Sequence, residues 1–341
     1  MFLSFIIPTF NSTKTIGYSL SSIINQKILD YEIIIVDDKS TDDTIKIVEN
    51  FTKKNKNIHL YKNKINSGPG NCRNIGLKKA KGRWIYFLDS DDSINKNSIK
   101  NHLVFLKKNN YDYIIGSYTK NNNGLKSEMN HNINQLKIFN KKSIANYINR
   151  YIYEPYKYTL FVHCWGKFYL NKIIKKNNLK FKKLNQLEDV NFNFKYLHHC
   201  ENVLFSNKKI NIYNITDEAN SLSKNSGSED KMFEDIELAY SSLKIYLKEN
   251  LKIRNSSIKK KYNHLVVTTL VIWFIRMSKI MSFSDLFKAL DLSINKANKK
   301  GYLKDFTYMP NNSYIIDKLV RLKLKFVLCL FLKLKHWTKC L

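Results

Sequence analysis

Along about the first ninety positions, short apolar runs alternate with segments whose apolar residues recur every three or four places. Phe2-Leu3-Ser4-Phe5-Ile6-Ile7 predicts a strand ended by Pro8. Between Thr13 and Gln26, the spacing of Ile16, Leu20, Ile23 and Ile24 predicts a helix. Tyr31 to Val36 is a second run, closed by Asp37-Asp38, and Ser40 with Asp43 three positions on marks a helix start continued by Ile45, Val48 and Phe51. A third short strand, Ile58-His59-Leu60-Tyr61, is followed by Pro69, which suits the first turn of a helix carrying Arg73, Ile75 and Leu77. Ile85-Tyr86-Phe87-Leu88 is then a buried strand that stops in Asp89, Asp91 and Asp92. Such alternation predicts an α/β fold with a mostly parallel sheet flanked by helices, whose ligand sits beyond the carboxyl ends of the strands. Pro8-Thr9, Asp37-Asp38 and Asp89-Ser90-Asp91 all fall at such ends, so one rim gathers three polar clusters.

Further on the pattern changes twice. Tyr111 to Ile115 predicts a strand, 121–134 a polar Asn-rich loop, and 141–152 a helix. His163-Cys164-Trp165-Gly166-Lys167-Phe168 is a compact aromatic stretch centred on glycine. Glu188 and Asp189 open a helix running through Tyr196 and Leu197, where acids also serve as ordinary N-terminal caps. From about Ser221 long helical patterns replace strands, which predicts an α/β domain over 1–220 and an α-helical region over 221–341.

Charge and composition alter this picture only in part. Three acids at the end of a buried strand repel one another, and a hard divalent cation with phosphate oxygens in its shell would resolve that repulsion. A polar turn is the alternative, with Asp92 starting a helix. The formal charge of +30 suggests an anionic partner. The chain is equally rich in Asn and Ile, a bias that an A+T-rich coding sequence produces, so the charge carries little weight. Nucleic acid is disfavoured because the acids at the strand ends would repel its phosphates, and a nicotinamide enzyme because no Gly-x-Gly-x-x-Gly follows the first strand. The five cysteines lack metal-ligand spacing, as does His198-His199-Cys200, and fit a reducing cytosol. Met1 runs almost directly into a strand without a leader pattern, and the apolar stretch 265–275 is too short to span a bilayer.

Five separated motifs together resemble the family 2 glycosyltransferases over about the first 220 residues. They are Ser4-Phe5-Ile6-Ile7-Pro8-Thr9-Phe10-Asn11, Ile23-Ile24-Asn25-Gln26, Tyr31 through Asp42, Asn66 through Gly76, and Gly82 through Asp92. Trp165-Gly166-Lys167, Glu188-Asp189 and Ser221-Leu222-Ser223 resemble smaller motifs of that family. The resemblance implies the nucleotide-binding, Rossmann-like GT-A fold, a mixed sheet flanked by helices, and an inverting, metal-dependent transfer from a nucleoside-diphosphate sugar, with UDP expected. It implies that Mn²⁺ or Mg²⁺ is held by Asp91 with Asp89 or Asp92, and that Pro8, Thr9, Asn11, Asp37, Asp38, Gly68, Arg73, Asp89 and Ser90 bind the donor. Asp189 is then the general base, and Trp165, Lys167 and Glu188 stand on the acceptor side. Trp165 can stack on a sugar ring or equally be a core residue. The acceptor implied is a glycan or lipid-linked glycan such as lipooligosaccharide or capsule. The alternative from another class is a basic nucleotide- or nucleic-acid-binding α/β protein without transfer activity.

The last helical pattern, Ile315 to Trp337, sets Leu319, Leu322, Phe326, Leu330 and Leu334 among six Lys and Arg residues, and suits an anionic membrane surface. The expected location is cytoplasmic, at the inner face of the cytoplasmic membrane; the alternative is a helix packed on the protein with its lysines in water. Each basic residue near such a surface contributes about 1 kcal/mol, so the full chain should co-sediment with anionic vesicles and be released by salt. Truncation after Pro310 should abolish this; binding unchanged by truncation assigns the helix to the fold alone.

Overall fold

The computed structural model describes residues 1–215, 231–304 and six residues of the stretch 320–333. In chain order the elements are β1 (Leu3–Thr9), α1 (Ile16–Ile24), β2 (Tyr31–Asp37), α2 (Thr44–Lys54), β3 (Ile58–Lys62), α3 (Pro69–Lys79), β4 (Trp84–Phe87), β5 (Ser93–Ile94) and α4 (Ser98–Leu106). They continue with β6 (Tyr113–Asn122), β7 (Leu125–Met129), β8 (Lys137–Phe139), α5 (Lys141–Tyr153), β9 (Lys167–Leu170), α6 (Asn171–Lys176), α7 (Glu188–His198) and β10 (Val203–Ile215). Three longer helices follow, α8 (Met232–Glu249), α9 (Asn255–Met277) and α10 (Phe283–Lys299).

The strands form one mixed sheet in the order β3-β2-β1-β4-β9-β6-β10-β5, with β7 beside β6 and β8 beside β10. The first four are parallel, whereas β9 runs antiparallel between β4 and β6. The apolar runs of β1, β2 and β4 are buried along their length, as strands covered on both faces require. The chain leaves β1 for β2 and β3 on one side and returns at β4 on the other. This reversal opens the crevice at which such sheets bind ligands.

Three local expectations are corrected. Pro8 does not end β1 but pairs with Val36 inside it. Along a strand the backbone groups point alternately to either neighbour; Ile6 faces β4, where its carbonyl accepts from Leu88, and Pro8 faces the same way. The register ends at Ile6 opposite Phe87, so the N–H that Pro8 lacks has no ladder partner to lose. The 121–134 stretch is not all loop: Asn122 pairs with Leu125, and Asn123 and Gly124, both at positive φ, make a two-residue hairpin turn. Ser40 does not cap α2, which begins at Thr44 without a side-chain cap, because its hydroxyl is bound to Asp37.

The chain divides into two compact units. The first holds the sheet and comprises Met1–Ile144, Leu160–Lys183 and the stretch from Glu188 through β10. The second joins Ala145–Thr159 and Leu184–Leu187 to the helices from α8 onward. Inside it the Tyr240 hydroxyl lies 2.9 Å from that of Tyr151 and 3.0 Å from that of Thr269. The expected boundary at 220 and the Ser221-Leu222-Ser223 motif lie outside the described residues, as does nearly all of the basic helix 315–337. Among the described residues no helix is long and apolar enough to cross a membrane.

Gly76 lets α3 approach β1 closely: a Cβ there would stand 2.4 Å from Ile6 Cγ2, a buried and inflexible neighbour. Gly76→Ala should therefore destabilise the fold by about 1–3 kcal/mol in urea unfolding despite the better helix propensity of alanine. A neutral or positive change would mean that α3 shifts freely.

Candidate active site

At the carboxyl ends of β1 and β2 the polar clusters do meet. Asp37 is almost fully buried and accepts from Thr9 Oγ1 at 3.3 Å, Ser40 Oγ at 2.6 Å and the Ser40 N–H at 2.9 Å. Asn11, at positive φ, donates its N–H to Ser40 Oγ and accepts from the Thr41 N–H, both at 2.9 Å. Asp38 accepts from Asn63 Nδ2, from the N–H and hydroxyl of Ser67, and from the Gly68 N–H at 2.7 Å. Gly68 adopts φ +86°, a conformation costly for any residue with a Cβ, immediately before the first turn of α3. The two aspartates thus brace the loops that frame the crevice. Their oxygens are engaged by protein donors.

Arg73 is the hub. Only 4% exposed, it donates Nη2 to Asp89 Oδ1 at 2.8 Å and Nη1 to Glu188 Oε1 at 2.8 Å and Asp189 Oδ1 at 3.0 Å. Asp89 comes from the end of β4, the other two acids from the start of α7, and α3 carries the arginine between them. One cation cannot neutralise three carboxylates, and the deficit is visible in Glu188, whose acid is pushed up to about 7 by burial and then by Asp189, against the pull of Arg73. Buried Arg73 Nε has no acceptor among the described residues. Asp189 Oδ2 accepts from the Cys164 N–H at 2.9 Å, so both of its oxygens are oriented.

The Asp89–Asp92 turn is closed by the Asp92 N–H on the Asp89 carbonyl. Ser90 Oγ lies 2.7 Å from Ser12 Oγ, linking this turn to the one after β1. Asp92 points into the sheet: it is 1% exposed and accepts from Asn211 Nδ2 at 2.9 Å and the Asn214 N–H at 3.0 Å. Burial, then Asp91 and Asp89, hold its carboxyl well above the usual range. Among the described residues no group of three or more Asp, Glu, His or Cys side chains could hold a metal unaided. Asp89 and Asp91, both near enough to Asp92 to raise its acid, carry the carboxylate oxygens that would suit a hard dication completed by diphosphate oxygens. Asp92, expected beside them, is committed to β10.

The acceptor-side expectation for Trp165 and Lys167 is corrected in the same way. Trp165 is 4% exposed, stacked between His163 at 4.6 Å and Tyr213 at 5.6 Å with the edge of Tyr118 against it, so neither face is open to a sugar ring. Lys167 is fully buried and donates to the carbonyls of His163 and Trp165; burial holds its ammonium down to about 8. Sequence reasoning missed Asn193, Asn211, Asn214 and the Cys164 N–H. In a chain this rich in asparagine, nothing distinguishes a bracing Asn from a surface one.

With this geometry in view, the chain belongs to glycosyl transferase family 2, whose model matches residues 4–176. It is 32% identical over 252 residues to the poly(ribitol-phosphate) beta-N-acetylglucosaminyltransferase TarP of Staphylococcus aureus, covering 71% of this chain and 72% of that one. Three other curated glycosyltransferases match over 116–119 residues at 38–42% identity, and the chain spans only 17–46% of their lengths. Among solved structures, S. aureus TarS 1-349 in complex with UDP-GlcNAc is 22% identical, with a TM-score of 0.70 over 99% of this chain and 92% of that one. A mannosyltransferase of Pyrobaculum calidifontis in complex with GDP-Man and Mn²⁺ aligns at 12% identity and a TM-score of 0.51, over 97% and 86%. These likenesses show the GT-A fold expected from the motifs.

The raised Glu188 acid carries a sign. The unfolded chain ionises this group near its usual 4.5 and the folded chain near 7, so folding takes up a proton between those values and stability falls as pH rises through that window. Glu188→Gln should flatten the fall; urea midpoints of the two proteins that decline in parallel from about pH 5 to 7 would return Glu188 to an ordinary acid.

Proposed function

We propose that this glycosyltransferase moves a sugar, hexosyl or N-acetylhexosaminyl, from a UDP-sugar to a hydroxyl of a bacterial surface polymer with inversion at the anomeric carbon. The observation that carries the reading is the Arg73 cluster, in which a carboxylate from the end of β4 and the Glu188-Asp189 pair share one guanidinium. The nucleoside would lie against Pro8, Thr9 and Asn11 and the Gly68 turn braced by Asp38, with Ser90 and Arg73 toward the diphosphate. Asp91 and Asp89 would hold a divalent metal, which supplies Lewis-acid neutralisation of the departing diphosphate. The acceptor hydroxyl enters from the α7 side, gives its proton to Asp189 and attacks in line as UDP leaves, so a single displacement inverts the centre. Glu188, held partly protonated, keeps negative charge from accumulating beside that base. TarP and the UDP-GlcNAc complex of TarS support a UDP-linked donor and a polymer acceptor. A place at the inner face of the cytoplasmic membrane accords with acceptors built on lipid carriers.

Calorimetry against a panel of sugar nucleotides, with Mn²⁺ or with EDTA, tests the donor side. Affinity should fall at least tenfold in EDTA and in Asp91→Asn, while Asp189→Asn binds the donor normally and loses about 100-fold or more in turnover. Equal affinity with and without metal for every donor would remove the metal, and near-normal turnover of Asp189→Asn would remove that base.

A further inference from the structure

A fully buried lysine needs a reason, because an ammonium leaves water at large cost unless its hydrogen bonds are replaced. Lys167 has no carboxylate within ion-pair distance among the described residues; its acceptors are the carbonyls of His163 and Trp165, the residues on either side of Cys164. The His163–Cys164 peptide is therefore gripped from both sides. Its carbonyl faces Lys167 Nζ, and its N–H donates to Asp189 Oδ2 at 2.9 Å. In a planar trans peptide the C=O and N–H point in opposite directions, so holding one aims the other. A cation on the carbonyl also polarises the amide and strengthens its N–H as a donor. The same carbonyl accepts from Asn193 Nδ2 at 3.0 Å, and that amide also reaches the carbonyls of Phe161 and Val162. Asn193 stands four residues after Asp189, on the same face of α7.

We infer that Lys167 is a positioning residue for proton transfer: it aims the Cys164 N–H at Asp189 through one peptide unit and so sets the orientation of that carboxylate. The inference rests on the reading of Asp189 as the base, and it gives the Trp165-Gly166-Lys167 motif a role that does not require contact with the acceptor. Trp165, with Lys167 Nζ 6.0 Å from its ring, helps to close the ammonium off from water.

The test follows two readouts in the full chain. The first is the Cys164 amide in protein labelled with ¹⁵N-cysteine; the second is the slow hydrolysis of UDP-GlcNAc, in which water replaces the acceptor. In Lys167→Met the Cys164 amide proton should move upfield as its bond to Asp189 lengthens, and kcat should fall tenfold or more with KM and the affinity for UDP within twofold. Asn193→Asp, which keeps the acceptor for Tyr113 and Tyr169 but removes the donor to the loop, should do the same if Lys167→Met fails to fold. An unmoved amide in a folded variant, or losses of kcat and UDP affinity in step, would overturn the inference. Asp189→Asn measured alongside separates the two claims: normal hydrolysis there sinks the base, whereas the amide reads the lock by itself.

Discussion

A single guanidinium among three carboxylates is the constraint around which this molecule is arranged. Arg73 belongs to α3, Asp89 to the turn after β4 sixteen positions on, and Glu188 and Asp189 to the first turn of α7, more than a hundred positions from the arginine. The planar fork of arginine can serve all three, which the point charge of lysine cannot. Its burial makes each contact costly to lose, since removal of the cation would leave the largely buried Glu188 and Asp189 without it. The shortage of positive charge is equally part of the arrangement. Together with burial, the larger cause, it leaves Glu188 reluctant to ionise.

Around that hub, acids are used as braces as often as they are presented. Asp37, Asp38 and Asp92 each spend both oxygens on backbone N–H, amide or hydroxyl donors. Turns at strand ends are otherwise short of partners for their N–H groups, and a buried carboxylate satisfies several at once. Asp89, Glu188 and Asp189 instead meet on the Arg73 guanidinium.

Aromatic and cationic residues near the site are likewise turned inward. Trp165 between two flat rings and Lys167 between two carbonyls make the loop before β9 a rigid backing for α7. A residue type that suits sugar stacking or anion binding is here used to hold backbone in place. The interior offers such residues apolar area and unpaired carbonyls together.

The order of strands and helices through α3, the placement of Pro8, Asp37 and Asp89 at carboxyl ends, and the family were legible in the chain alone. Burial on both faces forces continuous apolar runs, and acids interrupt them only where strands end. The Asn123-Gly124 hairpin was legible too, had its positive-φ preference been weighed against the polar surroundings. Only the tertiary structure decided which acids are consumed as braces. Asp91 and Asp92 are neighbours of the same type, and their difference lies in Asn211 and Asn214, more than a hundred residues away. The roles of Trp165, Lys167 and Asn193 were hidden for the same reason. Periodicity reports which face of an element is buried, but the partner a polar group meets there is set by strands brought together across the sheet.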